Sequence, residues 1–215
     1  MARKLGLILD MDGVIVDSNR WHRQSWAEYN RRHGIETDEA MQQRMYGKRN
    51  DDIVRDFFGA CLPDAEVYAH GAAKEALYRE MIRPELNESL VPGVREFLER
   101  HCGEPVGMAT NAEPANVEFL LEEARLRPYF QAIVDGHQVA NPKPHPEIYL
   151  RAAELLGFAP RECVVFEDSL PGVAAAQAAG MAVVGVTTTH TVLPGVDFEI
   201  GDFTCPDLEP WLRNR

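Results

Sequence analysis

The chain has 215 residues, 45% of them apolar and 26% charged, which is ordinary globular composition and enough chain for one or two domains. Asp and Glu number 34 against 22 Lys and Arg, a net charge of −12. That balance excludes a general grip on nucleic acid or an anionic membrane, although a cation and a few local positive groups can still hold an anionic substrate.

The first predicted element is LGLIL, residues 5–9, a short unbroken apolar run that reads as a buried strand. Residues 18–84 predict helix throughout, rich in Tyr, Trp, Arg and Glu, with a break marked by Gly59 and Pro63. Strand patterns then return at PVGMAT (105–110), AIVD (132–135), CVVFED (163–168) and MAVVGV (181–186). Helices lie between them. Val117, Leu120, Leu121 and Ala124 recur at helical spacing. PEIYLRAAELLG opens with Pro146 and closes with Gly157, and GVAAAQAAG ends at Gly180. The tail from Thr187 predicts a short edge strand near FEI and a closing turn at DLEPWL. Strand alternating with helix predicts an α/β fold with a parallel sheet covered on both faces. The expected domains are 1–17 with 85–215, and 18–84 as a helical insertion after the first strand.

Cys61, Cys102, Cys163 and Cys205 form no C-x-x-C pair and match no zinc spacing, so reduced thiols of a cytoplasmic protein are expected. No secretory leader is expected, because Asp10 interrupts the apolar stretch that follows Arg3 and Lys4. No run approaches the roughly 18 apolar residues of a membrane span. A monomer is the simplest expectation.

The chemistry gathers at strand ends. Ligands of parallel sheets bind beyond the carboxyl ends of the strands. Asp10 and Asp12 follow the first strand and share a face, being two residues apart on extended chain. Glu167 and Asp168 end another strand, and Thr110 and Asn111 a third. Two like charges at the end of an apolar run are costly, and a hard cation relieves that cost. Mg²⁺ accepts oxygen ligands from one or two carboxylates while keeping waters. A metal with a phosphate beyond it is the expected ligand.

DMDGVIVDS resembles the first motif of the haloacid dehalogenase-like superfamily, and further matches follow in order: Thr110 in MATN, Lys143 in NPKPHPEIY, and Glu167–Asp168 in FEDSLPG. The helical insertion resembles the small helical cap of the beta-phosphoglucomutase-like branch. The resemblance implies a Rossmann-like parallel sheet core with that cap inserted after the first strand. It implies Asp10 as the nucleophile that forms an aspartyl-phosphate, and Asp12 as the acid and then base. Mg²⁺ is implied at the Asp10 and Asp168 side chains and the Asp12 carbonyl, and Glu167 is counted with these metal-binding residues. Thr110, Asn111 and Lys143 are implied at the phosphoryl oxygens. Dehalogenases resemble this pattern at the nucleophile but lack the second aspartate.

Several residues keep a second reading. Asp10 and Asp12 also suit a turn before Gly13. Thr110 heads T-x-x-E with Glu113, a capping box. Lys143 lies between prolines in NPKPHP, which suits either a surface loop or a held lysine. Asp168 and Ser169 suit a helix cap. His22, Trp26, Tyr29 and His33 share one helical face, and His22 also resembles a cap histidine that helps position the acid/base aspartate. Lys74 lies on a stripe with Val67, Gly71, Tyr78 and Met81, where it either snorkels or resembles a cap lysine facing substrate. In the loop GKRND, Gly47 to Asp51, the mutase pattern has an arginine where this chain has Asn50, with Lys48 and Arg49 just before.

The expected function is a Mg²⁺-dependent phosphatase that hydrolyses a small phosphorylated metabolite, with a sugar phosphate as the candidate, through an aspartyl-phosphate intermediate. The alternatives are a beta-phosphoglucomutase-like phosphomutase and a non-catalytic phosphate-binding regulatory module.

Overall fold

A computed structural model describes residues 5–41 and 50–215. The chain divides into two compact units, Met1–Asp17 with Leu86–Arg215, and Ser18–Glu85.

The first unit is built on six parallel strands: β1 (Gly6–Leu9), β2 (Val106–Ala109), β3 (Ala132–Val134), β4 (Cys163–Glu167), β5 (Ala182–Val186) and β6 (Phe198–Ile200). Their order is β3-β2-β1-β4-β5-β6. The chain runs outward from β1 on one side and resumes at β4 on the other. The order therefore reverses between β1 and β4, the kind of switch point where ligands of such sheets bind. Register aligns the strand ends, since Leu9 sits beside Met108 on one side and Phe166 on the other. Residues that follow these three strands thus share one edge of the sheet.

Strand alternation divides the core. Val165 faces a cluster with Ile8, Ile148, Tyr149 and Val173, whereas Phe166 packs against Phe97 and Phe203 at ring distances of 5.3 and 5.5 Å. Around the sheet run α4 (Val94–Arg100), α5 (Pro114–Glu123), α6 (Glu147–Leu156), α7 (Leu170–Ala178) and α8 (Leu208–Arg213). α6 covers β1, β2 and β3, and α7 covers β4 and β5. Pro146 and Gly157 flank α6 as the sequence predicts, with Gly157 in the left-handed conformation at φ 78°. Two local expectations are corrected. DLEPWL is helical, not a turn, because Pro210 falls in the first turn, where a missing N–H breaks no bond. The T-x-x-E capping box does not form: α5 begins one residue after Glu113, with Pro114 at its start.

The second unit contains α1 (Asn19–Arg32), α2 (Asn50–Phe58) and α3 (Asp64–Ile82). Its core joins Trp26, Tyr29, Ile53, Val54, Val67 and Leu77. Gly59 and Pro63 lie between α2 and α3, as the break in the pattern predicts. Asn50 and Asp51 open α2, so the end of GKRND is helix where a loop is expected. Among the described residues, no helix is long and apolar enough to cross a membrane.

Candidate active site

Asp10 follows β1 and is 7% exposed; its backbone N–H donates to the Phe166 carbonyl at 3.0 Å, which ties it to the neighbouring strand. The chain then turns tightly, with the Gly13 N–H donating to the Val16 carbonyl at 2.8 Å. Gly13 is required twice over. Its φ is 78°, and a Cβ there would overlap the Asp168 carboxylate. The glycine is what lets the loop carrying Asp10 and Asp12 approach the end of β4.

Lys143 reaches the same point from the loop before α6. Its ammonium donates to Asp10 Oδ1 at 2.6 Å, to Glu167 Oε1 at 2.6 Å and to the Ala109 carbonyl at 3.1 Å. It also lies 4.8 Å above the Tyr149 ring. The Lys143–Pro144 peptide is cis. Of the two readings of Lys143, the surface loop is excluded, because its side chain is buried among these acceptors.

Oxygens of Asp10, Glu167 and Asp168 lie within 4.8 Å of one another. Their electrostatics differ. Burial pushes the Asp10 carboxyl up to about 7, against the pull of Lys143. Burial, then the charges of Glu167 and Asp10, push Asp168 up to about 8. Burial also acts on Glu167, but the Lys143 charge together with hydrogen bonds from Lys143, Tyr149 and Ser169 outweighs it and holds this carboxyl below its ordinary value. Glu167 is the anchored member. Oε1 accepts from Lys143 and the Tyr149 hydroxyl, and Oε2 from the backbone of Asp168 and Ser169 and from Ser169 Oγ. Ser169 caps α7 by accepting from the Gly172 N–H at 3.2 Å. At Gly172 a Cβ would overlap the Glu167 carboxylate.

Thr110 is buried at the end of β2. Its N–H donates to the Val134 carbonyl at 3.0 Å, and its Oγ1 accepts from the Ala112 N–H at 3.1 Å. Asn111 Oδ1 accepts from the Lys143 N–H at 3.3 Å. Asp12 is half-buried on the turn, two residues beyond Asp10.

The helical unit holds its own polar cluster. Lys74 is 1% exposed, so it does not snorkel. Its ammonium donates to His22 Nδ1 at 2.7 Å and Glu75 Oε1 at 2.8 Å, between the rings of Trp26 and Tyr78. An ammonium has only donors, so His22 Nδ1 accepts. The His22 ring stacks on Tyr78 at 4.0 Å. Asn50 Nδ2 donates to Glu75 Oε1 at 2.6 Å. Trp26 and Tyr29 enter the core of the unit, while His33 lies just past α1 with its ring Nδ1 2.8 Å from the Tyr29 carbonyl oxygen. Gly47, Lys48 and Arg49 lie outside the described residues.

Sequence reasoning missed Tyr149, Glu75, Thr188 and Thr189. Thr189 Oγ1 donates to Asp168 Oδ2, and Thr188 Oγ1 to the Gly13 carbonyl. The available signal was the run TTT directly after β5, on the edge where the acids gather.

The family described as haloacid dehalogenase-like hydrolase matches residues 5–180. Fructose-1-phosphate phosphatase YqaB of Escherichia coli is 36% identical over 186 residues, covering 86% of this chain and 97% of that protein. Beta-phosphoglucomutase of Bacillus subtilis is 30% identical over 222 residues, covering 97% and 96%. Among solved structures, a HAD hydrolase of family IA, variant 3, from Entamoeba histolytica superposes with a TM-score of 0.88 at 24% identity, covering 97% of both chains, a likeness of fold.

Proposed function

Because this chain belongs to the haloacid dehalogenase-like hydrolases and is a phosphatase or phosphotransferase of their beta-phosphoglucomutase-like branch, we propose that it hydrolyses a small sugar phosphate with Mg²⁺ through an aspartyl-phosphate on Asp10. The observation that carries this reading is the setting of Asp10: buried beyond β1, 2.6 Å from the Lys143 ammonium, and grouped with Asp168.

The donor set fits a divalent cation. Three carboxylates converge, and burial with mutual repulsion pushes two of them up to about 7 and about 8. Asp10, Asp168 and the Asp12 carbonyl would hold Mg²⁺, with Glu167 completing the negative charge around Lys143. When bound, the metal supplies positive charge that ionises the aspartates and neutralises phosphoryl oxygens. Asp10 attacks phosphorus while Asp12 gives its proton to the departing sugar oxygen, so one P–O bond forms as another breaks. Asp12 then takes a proton from water, whose oxygen attacks phosphorus, breaking the bond to Asp10 and releasing phosphate. Lys143 and the Thr110 region offer donors and positive charge to the transferring group.

Hydrolysis is preferred to transfer onto a second sugar because Asn50, a neutral amide engaged with Glu75, stands where the mutase pattern has an arginine. Phosphorus NMR tests this with Mg²⁺ and either fructose 1-phosphate or beta-glucose 1-phosphate, the latter primed with a trace of glucose 1,6-bisphosphate. Free phosphate is expected as the main product, and Asp10→Asn should lower its rate at least about a thousandfold. Glucose 6-phosphate accumulating faster than free phosphate would overturn hydrolysis in favour of the mutase.

A further inference from the structure

Two threonines after β5 are bonded to the loops that carry the acids, and no step of the proposed reaction uses them. Thr189 Oγ1 donates to Asp168 Oδ2, beyond β4. Thr188 Oγ1 donates to the carbonyl oxygen of Gly13, the residue after Asp12, beyond β1. Their segment is rooted in the sheet, because the Thr187 N–H donates to the Ile200 carbonyl at 2.9 Å where β5 and β6 end together. Gly13 packs into the middle of this junction: a Cβ there would also come within 3.0 Å of Thr189 Oγ1. Three strand-end loops therefore meet at one place, and two hydroxyls join them.

We propose that Thr188 and Thr189 form a clamp that positions the groups holding the metal, with Thr189 fixing the Asp168 carboxylate and Thr188 fixing the turn that follows the Asp12 carbonyl. This rests on the reading of Asp10 and Asp168 as Mg²⁺ holders. A carboxylate accepting from a placed hydroxyl keeps one orientation, so its other oxygen meets the cation without a search through rotamers. The Gly13 carbonyl is one residue beyond the Asp12 carbonyl, so anchoring it restricts the direction of that ligand. Thr188 and Thr189 are positioning residues, since neither is assigned a bond to the metal or substrate. Partners of metal ligands typically change affinity by about 10–100-fold when removed.

The test is a Mg²⁺ titration followed by thermal shift, on the wild type and on Thr189→Val, Thr189→Ala and Thr189→Ser. Valine keeps the shape of threonine, alanine crowds nothing, and serine keeps the hydroxyl. The Mg²⁺ midpoint is expected to rise about 10–100-fold in the valine and alanine variants and to stay within about threefold in the serine variant. The apparent Mg²⁺ constant in turnover should rise by the same factor, and excess Mg²⁺ should restore much of the rate. Wild-type midpoints in both Thr189→Val and Thr189→Ala would overturn the clamp, as would a serine variant as weak as alanine. A wild type whose melting ignores Mg²⁺ removes the metal reading itself, and the clamp with it, before any substitution is compared.

Discussion

Asp10 touches a lysine and yet is not held acidic by it. Burial dominates and lifts its carboxyl to about 7, while Asp168 next to it is lifted to about 8. In the folded, metal-free chain both aspartates keep protons that an unfolded chain releases near 3.8. The folded state therefore binds more protons, and this pair removes stability as pH climbs from about 4 towards about 8. Mg²⁺ held at these carboxylates, as proposed, would displace those protons. The gain in melting temperature on adding Mg²⁺ should accordingly be larger at about pH 8 than at about pH 6, read by thermal scans in both buffers. An equal or smaller gain at the higher pH would count against Mg²⁺ at these two carboxylates. A second residue-scale expectation concerns Tyr149, whose buried hydroxyl donates to Glu167 at 2.6 Å. Tyr149→Phe should cost about 1.5–3 kcal/mol in urea unfolding, the range for hydrogen bonds to charged groups. Asp10, Lys143, Glu167 and Asp168 could be singled out from the sequence because each stands in a short distinctive motif. Tyr149 could not, because a hydroxyl carries no pattern until folding supplies its partner, and Thr188 and Thr189 were marked only by the run TTT after a strand.

At the scale of elements, the apolar runs were legible because a parallel strand buried on both faces has no polar positions to dilute the signal. Residues 6–9, 106–109 and 163–167 all fall inside the runs that predict them. Helix ends were legible where proline and glycine act through their own backbones, as at Pro146 and Gly157. They were less so where a side chain must reach. Thr110 and Glu113 have capping-box spacing, but Pro114 sets the start of α5 and Thr110 bonds its own turn instead. Ser169 does cap α7, and its Oγ also donates to Glu167 at 2.9 Å. Ser169→Ala should cost about 1–2 kcal/mol, combining a lost cap with a lost bond to a carboxylate. Urea unfolding checks this, and the glycine variant at the same site should recover the part of the loss due to the cap, because glycine is tolerated there, but not the part due to the bond to Glu167.

At the scale of the molecule, two units have separate cores. The sheet unit is held by residues such as Ile8, Val165 and Tyr149, and the helical unit by Trp26, Val54 and Leu77. Stability in such a chain need not be shared evenly. Trp26→Ala should remove about 3–5 kcal/mol from the helical unit. Hydrogen exchange should then show α1, α2 and α3 opening first while the amides of β1 and β4 keep their protection. Uniform loss of protection across both units would mean that they unfold as one.

The contact between Lys143 and Asp10 has a consequence for how the protein responds to salt. Both side chains are below 10% exposed, at 5% and 9%. Arg31 and Glu28, by contrast, pair on the surface with the arginine 72% exposed. Dissolved ions screen the second kind of pair over a Debye length of about 8 Å at physiological strength, but they do not enter the first. Raising the salt therefore weakens the outer field of this chain, whose net charge is −12, and leaves the counter-charge of Asp10 in place. A rate that changes with ionic strength would report how an anion crosses that outer field, and one that does not would report the buried pair alone.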